Sequence, residues 1–350
     1  MSYSINKADL KKNRKDILKI WEKNYPGILE KKFKWMYENN PAGPAQVWVV
    51  KHDESGEYIG VTALFPRRFV INGKSFVGGI AGDLLVNKEH RNARPALKLQ
   101  RSTLSATQDG TVDFIYGFPN KASEPIQKRV GYKVMGEKIR LVKVLKTAPQ
   151  LSKLPLGKYW GFLLSPIFDL ILRLLSVETW YFHRRNFVCE EIEDFDEGFD
   201  LLWEKTNSQF IVTGERRAEY LRWKFLNAPH STNRIFAMFD ADRKYVKGYI
   251  VYRYPEKSIE IRDFLFTQDK KAIFILMAGF LRYARSLGAQ SISIALLKNK
   301  KIANHMKHFG FVERKDEHNI LIFFSTKFLS KYPFLQDTNN WLLLQSDDDM

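Results

Sequence analysis

Cysteine, acidic charge and long apolar runs are scarce in this sequence, and each scarcity excludes a class of protein. The single cysteine, Cys189, rules out an intramolecular disulfide framework and a zinc site built from cysteines. The seven histidines have no metal-ligand spacing, so we expect no bound metal. The first 16 residues are polar and charged and lack the apolar core of a signal peptide, so we expect a cytoplasmic protein.

The composition is that of a folded protein with an excess of positive charge. Apolar residues make up 45% of the 350 residues, which excludes wholesale disorder, and the length suits about two domains of roughly 100–200 residues. Lys and Arg outnumber Asp and Glu by 56 to 39, a net charge of +17. This charge favours anionic partners, namely phosphate-bearing cofactors, nucleic acid or acidic lipid. Basic pairs such as Arg67-Arg68 and Arg216-Arg217 are interpreted as solvated faces.

One apolar segment, residues 159–176, stands out from the rest of the chain. Its apolar residues recur at helical spacing, but Pro166, Asp169 and Arg173 make it a poor membrane-spanning helix. Two interpretations remain open. The helix is either buried between two domains or lies on a membrane as an amphipathic helix, a peripheral contact at the inner face of the membrane.

The chain also repeats itself at matching spacings. The pattern W-x-aromatic-x-N-x-P begins at Trp35 and again at Trp223, and a Trp-Glu-Lys triplet precedes each copy. Further matches follow in the same order. The distance from proline to a strand glycine is 19 residues in both copies (Pro41 to Gly60, Pro229 to Gly248), and that from asparagine to a glycine-aromatic pair is 11 (Asn120 to Gly131, Asn299 to Gly310). Four ordered matches predict two copies of one supersecondary unit.

Each copy is predicted to place antiparallel strands before a β-α-β unit, which is an α+β arrangement. In the first copy the predicted strands are 46–51, 58–65, 74–86 and 112–118 and one after Gly131, with helices at 94–107 and just before Val130. In the second copy the predicted strands are 234–239, 246–253, 258–266, 291–296 and 319–325, with helices at 271–287 and 301–309.

Three motifs of the sequence resemble the GNAT superfamily of acyl-CoA N-acyltransferases. Residues 86–96 are similar to the cofactor motif Q/R-x-x-G-x-G/A, and Asn120 with Gly131-Tyr132 is similar to a later motif that recurs from Asn299 to Gly310-Phe311. The resemblance implies an α+β fold of two tandem GNAT-like domains, each a mixed, mostly antiparallel sheet flanked by helices. The implied limits are a domain at 1–145 with the acyl-CoA motif, a linker at 146–189 containing the apolar helix, and a domain at 190–350 lacking the motif.

The resemblance implies that acetyl-CoA or another acyl-CoA binds to the first domain. A strand that leads into a helix offers free N–H groups to a pyrophosphate, and Arg94 at the usual glycine position adds a charge. The alternative is an ordinary strand-to-helix turn with a solvated basic edge. The residues assigned to the cofactor are Leu85, Val86, Arg91, Asn92, Ala93, Arg94, Ala96 and Asn120.

Acyl transfer to an amine needs a base for the amine and an acid for the leaving thiolate. The family often uses a tyrosine seven residues after the asparagine, but Gln127 and Met306 occupy these positions here. Asp83, alone in an apolar strand, and Glu89 are the candidate bases, and Tyr116 is the candidate acid. Their alternatives are an arginine-paired strand-edge aspartate, a solvated loop residue and a core tyrosine whose hydroxyl is bonded elsewhere.

The acceptor is predicted to be a small-molecule amine linked to a sugar. Trp341 followed by Asp347-Asp348-Asp349 is similar to the tails of GNAT proteins of bacterial polysaccharide biosynthesis, and the acidic run would either hold an ammonium group or form a solvated tail. Two other functions stay open. One is a Fem-type transferase that takes an aminoacyl group from tRNA for cell-wall peptides, and the other is a non-catalytic tandem GNAT-like binding protein.

Overall fold

The first half of the chain forms strands where β-branched and aromatic residues cluster between turn residues. The computed structural model describes residues 2–24, 29–91, 93–151, 157–181, 186–269 and 271–348. The strands of the first half are β1 (Tyr3–Lys7), β2 (Gln46–His52), β3 (Tyr58–Ile71), β4 (Lys74–Val86), β5 (Phe114–Gly117) and β6 (Lys133–Val144). Its helices are α1 (Arg14–Asn24), α2 (Leu29–Lys32), α3 (Ala93–Thr103), α4 (Ser105–Gln108) and α5 (Ser123–Arg129).

The second half repeats this order of elements after three intervening helices, α6 (Ala148–Leu151), α7 (Gly157–Leu174) and α8 (Val177–Trp180). Its strands are β7 (Phe187–Ile192), β8 (Val212–Gly214), β9 (Arg234–Asp240), β10 (Val246–Arg253), β11 (Ser258–Phe266), β12 (Ser291–Leu297), β13 (Val312–Phe324) and β14 (Trp341–Leu342). Its helices are α9 (Glu197–Thr206), α10 (Ala218–Leu221), α11 (Ala272–Ser286), α12 (Lys300–His308) and α13 (Thr326–Lys331).

The described strands form one sheet in the order β1-β2-β3-β4-β5-β13-β6-β12-β11-β10-β9-β7, with β8 and β14 joined to β3 at the side. Only β4/β5, β11/β12 and β8/β14 pair in parallel. Helices α1 and α3 pack on strands of the first half, and α11 packs on β10 and β11. The predicted α+β class with a mixed, mostly antiparallel sheet is confirmed.

The two halves exchange their last strands. Strand β13 pairs with β5 of the first half, for example Leu321 with Gly117, whereas β6 pairs with β12 of the second half, for example Leu141 with Ile294. Strands β6 and β13 also pair with each other. Each half therefore completes its sheet with a strand from beyond residues 146–189, and the limits 1–145, 146–189 and 190–350 stay a prediction.

The two copies of the repeated tryptophan motif contact each other. Each forms a turn of π-helix, Phe33–Glu38 and Arg222–Leu226. The indole N–H of Trp35 donates to the carbonyl oxygen of Trp223 at 2.7 Å, the indole of Trp223 donates back to Trp35 at 2.9 Å, and the rings stack. Such a reciprocal contact is what two copies related by a two-fold axis make.

The glycine-aromatic pairs end helices α5 and α12 in the same way. Gly131 has φ +113° and Gly310 has φ +80°, a region that favours glycine. The following Tyr132 N–H donates to the Gln127 carbonyl, as Phe311 N–H does to that of Met306. Each pair is therefore a Schellman helix cap, which gives this shared motif a structural cause.

Residues 341–348 do not form a solvated tail, and their buried acids do not form an exposed ammonium site. Asp347 is fully buried, with its carboxylate 2.9 Å from both the Arg67 and the Arg216 guanidinium. Arg216 also pairs with Asp263 at 3.0 Å. The interpretation of Arg67 and Arg216 as solvated is wrong, because both side chains are buried in this network.

The apolar segment of the linker lies on the surface. Side chains are described from residue 164 onward, and most large apolar ones in 164–175 face solvent, so burial of this helix between domains is wrong there. No helix in the described part of the chain has both the length and the apolar character needed to cross a membrane.

Candidate active site

A cavity opens where strands β4 and β5 separate. The two strands pair through only three positions, the last being Ile80 with Tyr116. Strand β5 then ends at Gly117, where an added Cβ would lie 3.1 Å from the Ala81 carbonyl oxygen, so a larger residue would push the strands apart. Strand β4 continues to Val86 beside β3 alone, and the gap beyond Gly117 is left open.

This cavity has a volume of about 320 Å³. It combines apolar, amide, hydroxyl and charged side chains, as ligand sites commonly do. It brings together three of the predicted site residues, Asp83, Leu85 and Asn120. Gln127, which stands where the family often has a tyrosine, also lines it. The lining residues are Lys32, Ala81, Gly82, Asp83, Leu84, Leu85, Gln100, Phe118, Pro119, Asn120, Ser123 and Gln127.

Asp83 presents a mostly buried carboxylate to this cavity. It lies within an irregular β3/β4 register, and its φ of +48° is unusual for a residue other than glycine. One carboxylate oxygen accepts a hydrogen bond from the Tyr37 hydroxyl at 2.9 Å, and the other lies 3.3 Å from the Lys32 ammonium. The side chain is 12% exposed. The predicted alternative of an arginine partner is replaced by this lysine and tyrosine.

Two buried glutamines contribute amide groups. Gln100 donates through Nε2 to Thr62 at 3.2 Å, and Gln127 lies beside Gly117. The Oε1 atoms of both residues have no hydrogen-bond partner among the described residues. Leaving a buried acceptor unpaired costs about 1–3 kcal/mol, so a ligand N–H group that reached these oxygens would recover part of that cost.

The strand-to-helix turn predicted for the pyrophosphate folds back on the protein. Arg91 donates to the Val86 carbonyl at 3.1 Å and to Asn24 at 2.9 Å. Val86 is buried, and Ala96 of α3 is partly buried against the same hydrophobic cluster. Asn92 lies outside the described residues, and so does the side chain of Ala93.

Arg94 and Glu89 are not at this cavity. Arg94 lines a separate open groove of about 560 Å³ with Lys98 and Arg101, at positions i, i+4 and i+7 of α3. Glu89 is exposed in a short 3₁₀ turn, Lys88–His90. The structure therefore brings Asp83, but neither of these residues, to the point where the strands separate.

Asn120 and Tyr116 have structural partners. The Asn120 side chain accepts from the backbone N–H groups of Ala122 and Ser123 at 3.0 and 2.9 Å, which orders the turn before α5. Tyr116 is fully buried, and its hydroxyl donates to the Asp347 carbonyl oxygen at 2.9 Å. Burial raises the pKa of Tyr116 well above its usual value. This geometry favours the core-packing alternative for Tyr116.

The corresponding separation in the second half is filled by the chain itself. Strands β11 and β12 pair as far as Ile261 with Ile294 and then diverge. The N–H group of Leu297 donates to Leu343, and Ser346 donates to Asp263 at 2.8 Å, so residues 341–347 occupy the gap. This filling supports the placement of the cofactor in the first half.

No group of three or more His, Cys, Asp or Glu side chains in the described ranges is arranged to hold a metal ion. Sequence reasoning missed Lys32, Tyr37 and Gln100. Tyr37 is the aromatic residue of the first W-x-aromatic-x-N-x-P copy, and its place in this repeated motif could have identified it as a candidate site residue.

Comparison with known proteins places the fold. Residues 8–135 match the family model of an acetyltransferase (GNAT) domain. A probable N-acyltransferase from Enterococcus faecalis V583 has a TM-score of 0.66 at 14% identity, with 92% of this chain and 72% of that chain covered. A GCN5-related N-acetyltransferase from Anabaena variabilis has a TM-score of 0.63 at 13% identity, with 92% and 72% covered.

The likeness in fold extends to an N-myristoyltransferase. Saccharomyces cerevisiae N-myristoyltransferase with bound myristoyl-CoA has a TM-score of 0.54 at 13% identity, with 92% of this chain and 79% of that chain covered. No curated protein sequence matches the chain. Residues 8–135 thus resemble a GNAT acetyltransferase domain, and the chain shares the fold of these solved structures over 92% of its length. The family match bears out the class of enzyme predicted from the sequence.

Proposed function

We propose that the protein transfers an acyl group from acetyl-CoA or another acyl-CoA to an amine, and that the reacting groups meet in the cavity between β4 and β5. The observation that carries this proposal is the mostly buried Asp83 carboxylate at the mouth of the strand separation. The acyl-CoA supplies an activated carbonyl whose C–S bond breaks as the C–N bond to the amine forms.

The residues of the chain divide the work as follows. Asp83 attracts the ammonium form of the acceptor and takes its proton, which frees the nitrogen lone pair. Tyr37 holds the carboxylate in place. The unpaired oxygens of Gln100 and Gln127 accept N–H groups of the amide-containing arm of the donor, and Leu84, Leu85 and Phe118 exclude water. The nitrogen loses a second proton as the C–N bond forms, and the departing thiolate takes up that proton to give the free thiol.

The test is the Asp83→Asn variant. We expect kcat to fall by about 100-fold or more, because the amide cannot take the proton, while calorimetry shows unchanged affinity for acetyl-CoA. Tyr116→Phe is the matched control and should keep kcat, since its hydroxyl bonds to the backbone in the core. Equal rates for Asp83→Asn and wild type would contradict the role of Asp83 as the base. A loss of kcat in Tyr116→Phe would support Tyr116 as the acid.

Donor binding has its own test. Calorimetry with acetyl-CoA and a long-chain acyl-CoA should show binding of at least one, and no heat from either at millimolar concentration would contradict the proposal. Binding without turnover of any amine would favour the non-catalytic alternative.

For the acceptor we propose a sugar-linked amine, and for the location the cytoplasm. The sequence resemblance of Trp341 and Asp347-Asp348-Asp349 to the tails of GNAT proteins of polysaccharide biosynthesis supports this class. Because Asp347 and Asp348 are buried, the ammonium of the sugar would be held by Asp83 instead of the acidic tail. Amino sugars should give a higher kcat/KM than lysine or polyamines. The reverse order would contradict the proposal that the acceptor is a sugar-linked amine.

A further inference from the structure

Most of the large apolar side chains described in helix α7, from Leu164 onward, are exposed to solvent. The exposed fractions of Ile167 and Leu170 are 57%, and that of Leu175, just beyond the helix, is 79%. At about 100° per residue, the exposed positions span an arc of about 160° around the helix axis. We call this surface the outer face, and it consists of Leu164, Ile167, Phe168, Leu170, Ile171, Leu174 and Leu175.

Two polar residues on the opposite side of the helix, Ser165 and Asp169, point inward. Ser165 is buried, and the Asp169 carboxylate accepts hydrogen bonds from the Thr147 N–H at 2.6 Å and from its hydroxyl at 2.7 Å. The usual amphipathic arrangement of a surface helix is thus reversed. An exposed apolar surface of this kind marks an interaction site in a soluble protein.

An exposed tryptophan stands beside the outer face. Trp180 is 63% exposed, and its indole N–H donates to the Leu174 carbonyl oxygen at 2.6 Å, which fixes the ring at the end of α7. Tryptophan is favoured where apolar surface meets polar headgroups.

The segment of sequence that carries the outer face has an excess of basic residues. Residues 146–185 contain two acids, Asp169 and Glu178. Asp169 is engaged by Thr147, and Glu178 is fully buried between Lys143 and Arg285. The same segment contains six basic residues, Lys146, Lys153, Lys158, Arg173, Arg184 and Arg185, which with the two acids gives it a formal charge of +4.

We propose that the outer face binds the surface of an anionic phospholipid membrane, with α7 lying in the plane of the interface. The apolar arc enters the boundary between headgroups and acyl chains, and the basic residues pair with the lipid phosphates. A second copy of this chain, which has the same net charge of +17, would leave the basic residues of this segment without a complement. The proposal is independent of acyl transfer.

The test is co-sedimentation of the full chain with vesicles. Wild type should bind phosphatidylcholine vesicles that contain about 30% phosphatidylglycerol and should be released as NaCl rises from about 0.1 to about 0.5 M. The Ile167→Glu/Leu174→Glu double variant should bind at least about tenfold more weakly, because it places two charges within the apolar arc. The Leu201→Glu/Val312→Glu variant is the matched control, since both residues are similarly exposed elsewhere, and it should bind like wild type.

Three outcomes would overturn the proposal. The first is equal binding of wild type to vesicles of phosphatidylcholine alone, and the second is equal binding of both double variants. The third is a dimer in light scattering that Ile167→Glu/Leu174→Glu abolishes, without vesicle binding by wild type. Thermal melting checks that both variants stay folded, and activity with a soluble amine should not change.

Discussion

Asp83 combines two costs that the surrounding residues offset. A left-handed backbone conformation costs a residue with a side chain about 1–2 kcal/mol, and removing a carboxylate from water costs more. The left-handed conformation occurs at the register shift between β3 and β4. The contacts of Tyr37 and Lys32 with the carboxylate offset the cost of removing it from water. Strain held in place by neighbouring residues is common at functional sites, which is why we assign the reaction to this position.

A first prediction concerns Gln127. Gln127→Leu removes an acceptor that has no hydrogen-bond partner among the described residues, so the free protein should be at least as stable as wild type. The donor loses a hydrogen bond worth about 0.5–1.5 kcal/mol, so its Kd should rise about 2- to 12-fold. Calorimetry with acetyl-CoA and thermal melting measure the two quantities.

The control for this variant is Gln209→Leu. Gln209 has a buried Oε1 that also lacks a partner in the described ranges, but it does not line the cavity, so the donor Kd should not change. A rise in Kd for Gln209→Leu, or none for Gln127→Leu, would contradict the role given to Gln127.

The sequence identifies part of the site at this scale. Asp83 stands out as a charge in an apolar strand, and Gln127 stands out by its distance from Asn120. Lys32 and Tyr37 reach Asp83 across 51 and 46 residues of chain, and no local pattern encodes such a contact.

Among the elements, the segment 341–348 joins the two halves electrostatically. Burial alone would raise the pKa of Asp347, but the charges of Arg216 and Arg67 outweigh it and hold the pKa below the usual 3.8. A carboxylate whose folded pKa is lowered stabilises the protein fully above its unfolded pKa, and this contribution is lost as pH falls through the folded pKa.

A second prediction follows for Asp347→Asn. At pH 7 the free energy of unfolding should fall by about 3–5 kcal/mol, because two buried guanidinium groups lose their shared partner. The difference from wild type should shrink as pH falls below about 4, where Asp347 of the unfolded wild-type chain begins to take up a proton, and should vanish once the pH has passed through the lower folded pKa. Urea denaturation at several pH values measures both effects.

The exposed pair of Arg222 and Asp194 offers a control. Asp194→Asn removes a partner at 2.8 Å on the surface and should cost about 1 kcal/mol or less. Equal losses in the free energy of unfolding for Asp194→Asn and Asp347→Asn would contradict the prediction that burial makes the Asp347 ion pairs contribute more to stability.

Local patterns predict the elements well where partners are close in sequence. The predicted bounds of β4, β10 and β11 are confirmed, because apolar runs between turn residues define them. Strand β3 was predicted to end at Phe65 but continues to Ile71. Pro66-Arg67-Arg68 has the composition of a loop, and the partner that allows Arg67 to be buried lies 280 residues away.

At the scale of the whole molecule, the strand exchange could not be predicted from the sequence. The sequence predicts one strand after Gly131 and another at 319–325, but either could pair with β5 or β12. The repeat predicts two similar halves and favours separate sheets, whereas the structure joins them through these two strands.

A third prediction tests this interlock. A fragment of residues 1–151 should show no cooperative unfolding, because β5 loses β13 and β6 loses both of its neighbours. Coexpression with residues 152–350 should restore a cooperative transition. A cooperative melt of the first fragment alone, followed by circular dichroism, would contradict the interlock.

The same exchange of strands β6 and β13 determines when β5 can pair during translation. Gly117 pairs with Leu321, about 200 residues later, and translation at about 5–20 residues per second delivers that partner about 10–40 s after β5. During this interval the edge of β5 has no strand to cover it, and unpaired edges readily join other chains. We therefore expect the yield of folded protein to depend on how the cell shields this edge until translation ends.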